Sequence, residues 1–91
     1  MIFVTAIGDS AKKAYLNAKE EDLMWANYNE DHIQSVSLTK RYFIVSVDVF
    51  ESKEEAIQFA SSFDYSTIKY RKNTSGALIL TNDTYLFFTL P

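Results

Sequence analysis

The chain has no cysteine, two glycines and a single proline, Pro91, among 91 residues. Without cysteine there is no disulfide framework and no thiolate zinc site, so any metal would depend on carboxylates and the one histidine, His32. Scarce glycine and proline leave little punctuation for long loops. No apolar run approaches the about 18–20 residues that span a bilayer. The start "MIFVTAIGDS" has neither the basic residues nor the length of a signal peptide. A cytoplasmic chain without a membrane segment, metal or cofactor is therefore expected. Charge of one sign is also scarce: nine Lys and Arg stand against twelve Asp and Glu, a net −3. That balance exerts no broad pull on phosphate backbones and is too mild for a mimic of DNA. No internal repeat, Gly-rich phosphate loop or catalytic carboxylate pair is present.

What is present is apolar surface. Hydrophobic residues make up 47% of the chain and aromatics 15%, enough for one core, and the length fits one α+β domain over residues 1–91. "IFVTAI", Ile2 to Ile7, is β-branched and apolar on both faces, which predicts a strand in the middle of a sheet, with Gly8 letting the chain turn. Ala11, Ala14, Tyr15 and Ala18 then fall at helical spacing, and Trp25 extends the stripe. Asp22 interrupts it, which predicts a bend near Glu20–Asp22 or two short helices. A weak strand is read at Ile33–Leu38 and a strong one in "RYFIVSVDVF", with Phe43, Val45, Val47 and Val49 on a core face and Tyr42, Ile44, Ser46, Asp48 and Phe50 on the other.

Ser52-Lys53-Glu54-Glu55 has the pattern of a capping box, and Ala56, Phe59, Ala60 and Phe63 supply the apolar stripe of the helix it opens. Strands are predicted near Ser66–Arg71, Gly76–Thr81 and Thr84–Leu90, the last two joined by a turn at Asn82-Asp83. The order is β-α-β-β-α-β followed by a hairpin, the split pattern of ferredoxin-like domains: an antiparallel sheet with two helices on one face and its first and third strands in the centre. Ile33–Leu38 would form an edge.

Gly8-Asp9-Ser10 after a strand resembles the nucleophile block of GDSL-type esterases, which pair the serine with an Asp-x-x-His segment. No such segment exists, and the expected fold puts His32 at the opposite end from Ser10. A hydroxyl without a base within about 3 Å is not activated, whereas Asp9 and Ser10 both suit a helix N-cap. "IFVTAI" and "VSVDVFESKEEAIQFA" resemble the first strand and the third-strand-plus-helix of RNA recognition motifs, which implies a ferredoxin-like fold and single-stranded RNA or DNA as partner, with Phe3 matching a stacking aromatic. Val45 and Val47 stand where that family carries rings. Lys40-Arg41 and Lys69, Arg71 and Lys72 are expected at opposite ends of the sheet.

With helices on one face, the open face would carry Phe3, Tyr42, Ile44, Asp48, Phe50, Tyr65 and Lys69, an aromatic patch typical of contact surfaces. Pairing through Asn82-Asp83 predicts Ala77, Ile79, Leu86 and Phe88 on one side of the hairpin and Leu78, Leu80, Tyr85 and Phe87 on the other, both apolar. One side needs a second cover, supplied by the monomer itself, by a second subunit or by a target protein, and Tyr85 and Phe87 join the candidate contacts. The expectation is a non-catalytic protein-binding module, a small regulator or inhibitor that occludes a partner's surface, with a phage-encoded factor acting on a host protein as one concrete form. A single-stranded nucleic-acid binder is the alternative, and a serine hydrolase using Ser10 comes last.

Overall fold

The computed structural model describes residues 2–26, 36, 39–69 and 71–90. Strand β1 (Phe3–Ile7) leads through Gly8 to a single helix, α1 (Ala11–Ala26), which of the two expected alternatives excludes a pair of short helices. Ser10 starts it: its hydroxyl accepts the Lys13 N–H at 3.2 Å and its carbonyl the Ala14 N–H at 3.0 Å, satisfying amides that have no partner in the first turn. Strand β2 (Arg41–Phe50) matches its predicted span. Helix α2 (Lys53–Ser62) opens where the capping pattern places it, with the Ser52 hydroxyl accepting the Glu55 N–H at 3.2 Å. A single 3-10 turn, Tyr65–Thr67, replaces the strand expected at Ser66–Arg71. Strands β3 (Thr74–Leu80) and β4 (Thr84–Thr89) complete the sheet. The strand expected at Ile33–Leu38 lies outside the described residues apart from Val36, which is buried.

The fold is α+β with a four-stranded mixed sheet, but its order is β1-β4-β3-β2 and not that of a ferredoxin-like sheet. Pairs β1·β4 and β3·β4 are antiparallel and β2·β3 is parallel. The strands expected at the centre, β1 and β2, are the two edges, and the C-terminal hairpin occupies the middle. The helices also part company. Ala14, Tyr15 and Ala18 of α1 pack with Ala77 and Phe87, whereas Ala56 and Ala60 of α2 pack with Leu78 and Phe88. Neighbouring strand residues point to opposite faces, so one helix covers each face. Crossover handedness explains this arrangement: the chain crosses the sheet from β1 to β2 and returns from β2 to β3, and two crossovers of one hand in opposite directions lay their helices on opposite sides.

The hairpin turn has Asn82 and Asp83 at φ 59° and 55°, the doubly positive pair of a type I′ turn, closed by the Thr84 N–H on the Thr81 carbonyl. Pairing beyond it runs one residue out of step with a simple two-residue loop, because Ile79 stands opposite Tyr85 and Leu78 opposite Leu86. A one-residue slip exchanges faces. Ala77, Ile79, Tyr85 and Phe87 therefore share the α1 face, and Leu78, Leu80, Leu86 and Phe88 the α2 face, which corrects the grouping expected from the sequence.

Both helices approach closely through alanine: Ala14, Ala18, Ala56 and Ala60 are fully buried. On the α1 side a chain of hydroxyls crosses the core. Thr39 Oγ1 lies 2.7 Å from the Val36 carbonyl, 2.6 Å from the Tyr15 hydroxyl and 2.9 Å from the Ser75 hydroxyl. Its one proton goes to the carbonyl, so Tyr15 and Ser75 both donate to it. Gly8 serves proximity rather than a turn, since its φ is not positive; a Cβ there would sit 2.5 Å from the backbone nitrogen of Ala14. At Gly76 a Cβ would sit 2.5 Å from two ring carbons of Phe88. Overpacking costs about 1–3 kcal/mol, occasionally more. Gly8→Ala is expected to destabilise more than Gly76→Ala, because a helix backbone yields less readily than a ring. Urea unfolding of the two variants checks the order.

Candidate contact surface

Each sheet face is covered by a helix, and of the five exposed large hydrophobic residues among the described ones, Ile7 ends β1, Leu16 lies on α1, and Phe43, Val47 and Val49 lie on the edge strand β2. Its ladder with β3 is regular from Arg41 opposite Thr74 to Ile44 opposite Ala77, breaks, and resumes with Val49 opposite Ile79 and Phe50 opposite Leu80. The stretch Val45–Asp48 thus faces the single residue Leu78 and bulges from the sheet. Within the bulge the Asp48 N–H donates to Ser46 Oγ at 3.2 Å, and the Ser46 hydroxyl donates to an Asp48 carboxylate oxygen at 3.3 Å. These local bonds hold the extra residues in a tight loop. Val47 is 84% exposed, Val49 58% and Phe43 45%. All three were expected in the core, and only Val45 of that set packs against it, on the α2 side.

The bulge also inverts the alternation along the strand. Tyr42 and Ile44 pack on the α1 side and Phe50 on the α2 side, although a regular strand would hold all three on one face. The residues expected to form one patch are consequently divided. Tyr42, Ile44, Tyr85 and Phe87 belong to the α1 cluster, where Tyr42 lies 5.0 Å from the Tyr15 ring and Phe87 is fully buried. Phe3, Phe50 and Tyr65 belong to the α2 cluster: Phe3 against Phe88 at 5.6 Å, Phe50 against Phe59 at 5.2 Å, and Tyr65 buried with its hydroxyl donating to the Ala60 carbonyl. Asp48 and Lys69 are exposed. Sequence reasoning missed Val47 and Val49; the signal that marks them is Ser46-x-Asp48, a polar pair able to fold on itself inside an apolar run.

Cations, expected at opposite ends, meet at one. Because β2 and β3 are parallel, their amino ends lie side by side, with the Lys40 N–H on the Asn73 carbonyl at 2.8 Å and Arg41 Nε on Thr74 Oγ1 at 3.0 Å. Arg71 donates to the Tyr65 carbonyl at 3.2 Å. Nearby, the Ser66 hydroxyl and amide hold the Asp64 carboxyl below the usual carboxylate range, with Arg71 adding a smaller pull. At the other end of the sheet stand Asp9, Glu51, Glu54, Glu55 and Asp83, the last with its carbonyl on the Gly8 N–H.

A shallow open cleft of about 530 Å³ runs along β1 and α1, lined by Thr5, Ile7, Asn17, Glu20, Glu21 and Thr84; the Asn17 amide spans it to the Ile7 carbonyl at 2.8 Å. Among the described residues no cluster of His, Asp and Glu has the arrangement to hold a metal, and no helix is long and apolar enough to cross a membrane. Ser10 is engaged as a cap, and His32 lies outside the described residues. Comparison with family models, curated proteins and solved structures returns no match.

Burial pushes the Tyr65 hydroxyl up to about 12 and raises that of Tyr15. A folded-state value above the unfolded one, about 10, means that the unfolded chain releases its proton first as pH rises. The stabilisation is whole below about pH 10 and lost progressively towards pH 12. Urea midpoints are expected to fall across that window, and to fall less steeply in Tyr65→Phe, which has no proton to lose there.

Proposed function

We propose that the chain is a non-catalytic protein-binding module, a small regulator or inhibitor that occludes part of a partner's surface, and that it meets the partner through the bulged edge of β2. The observation that carries this reading is the exposure of Val47 and Val49, 84% and 58%, in a domain whose two sheet faces are already covered. Valines left 84% and 58% in water gain little from folding, and exposed apolar surface marks interaction sites. Asp48 between them offers a charge that orients an incoming chain without covering the apolar contact. Among the residues first expected to make contact, Asp48 is the one in this loop, and Tyr42, Ile44 and Phe50 anchor the strand on either side of it.

The test is a double substitution, Val47→Lys with Val49→Lys. Exposed sites away from core contacts change stability by about 0.5 kcal/mol or less, so the melting temperature stays near that of the parent. Capture of a partner from the native host is expected with the parent and lost in the variant. Light scattering on the parent alone reads the other outcome: a concentration-dependent dimer that the same substitutions dissolve would make the partner a second copy of this chain.

A further inference from the structure

We infer that the amino-terminal corner of the β2–β3 pair is a second contact surface, shaped for single-stranded nucleic acid. It is separate from the Val47–Val49 loop, which lies at the other side of the register break. Lys40, Arg41, Arg71 and Lys72 are all exposed there, brought together by the parallel pairing of Arg41 with Thr74 and by the Thr74 N–H on the Arg71 carbonyl at 3.3 Å. Thr74 Oγ1 ties the corner together, accepting from Arg41 and donating to the Lys72 carbonyl at 3.1 Å. Each guanidinium is positioned by one bond, to Thr74 or to the Tyr65 carbonyl, and retains donors beyond it for phosphate oxygens. Asp64 is the acidic residue that faces Arg71 and offsets part of this charge.

Phe43 decides between polyanions. It is 45% exposed, makes no ring contact with any other described residue, and stands two positions from Arg41, hence on the same side of the strand while the ladder is regular. An exposed ring beside phosphate-binding cations is the combination that holds an unpaired base, since every base offers a π-face and a duplex buries its own. An acidic polypeptide would use the cations and have no need of the ring. The chain's net −3 conceals this surface because five of its twelve carboxylates, those of Asp9, Glu51, Glu54, Glu55 and Asp83, stand at the opposite end of the parallel strands.

The experiment measures fluorescence anisotropy of a labelled oligothymidylate of about twelve nucleotides against the full chain, from about 50 to 200 mM salt. Saturable binding is expected, with log affinity falling against log salt at a slope of about −3 for four phosphate contacts. Lys40→Glu with Lys72→Glu should weaken it at least tenfold and make the slope shallower by about 1.4. Phe43→Ala should weaken it about tenfold and leave the slope unchanged. All these side chains are exposed, and circular dichroism verifies the fold. Three results would overturn the inference: no saturable binding at the lowest salt, an equal loss when the charges are reversed at Lys12 and Lys13 on α1, or polyglutamate competing as well as the oligonucleotide while Phe43→Ala binds like the parent.

Discussion

The two strands of the C-terminal hairpin carry apolar side chains on both of their faces, and neither face can be left in water. Phe87 and Ala77 point one way, Phe88 and Leu78 the other, and all four are fully buried. An edge position, or a sheet with helices on one side only, would expose half of them. The hairpin must sit inside the sheet with a layer above and a layer below. The flanking strands then go to the borders, the two crossovers run in opposite directions, and one helix falls on each side. Alanine on the inner helix stripes and glycine at positions 8 and 76 let these layers close to contact distance.

Local signals were legible in the sequence where the physics is local. The Ser52 hydroxyl needs only an amide three residues on, so the start of α2 follows from four letters. The span of β2 follows from its β-branched content, and the turn at Asn82-Asp83 from residues that tolerate positive φ. Even the need for two covers over the hairpin could be read from its composition. Strand order could not, because it depends on which distant segments pair, and "IFVTAI" is as apolar as a central strand while lying at the border. There Phe3 and Val4 are still packed, one against each layer.

Side-chain placement failed at two points, both for a single reason. Period-two reasoning assumes an unbroken ladder, and an odd number of extra residues, three in β2 and one beside Asn82, inverts everything beyond it. The loop at Val45–Asp48 sends Phe50 to the face opposite Tyr42, and the offset beside Asn82 sends Tyr85 to the face opposite Leu80. The candidate patch was assembled across both breaks, so its members divided between the two layers. The basic corner was invisible for a related reason: parallel pairing brings segments some thirty positions apart, at Lys40 and Lys72, to one end, and it gathers the carboxylates of Asp9, Glu51 and Asp83 at the other.

The loop in β2 has one more implication, for self-assembly. A sheet with two free borders can grow without limit if molecules join border to border. Here one border is only five residues long and the other is broken midway by a knuckle that carries Asp48. Neither presents the long straight row of amides and carbonyls that a growing ribbon copies. Border-to-border growth of the sheet is therefore opposed by the shape of both edge strands.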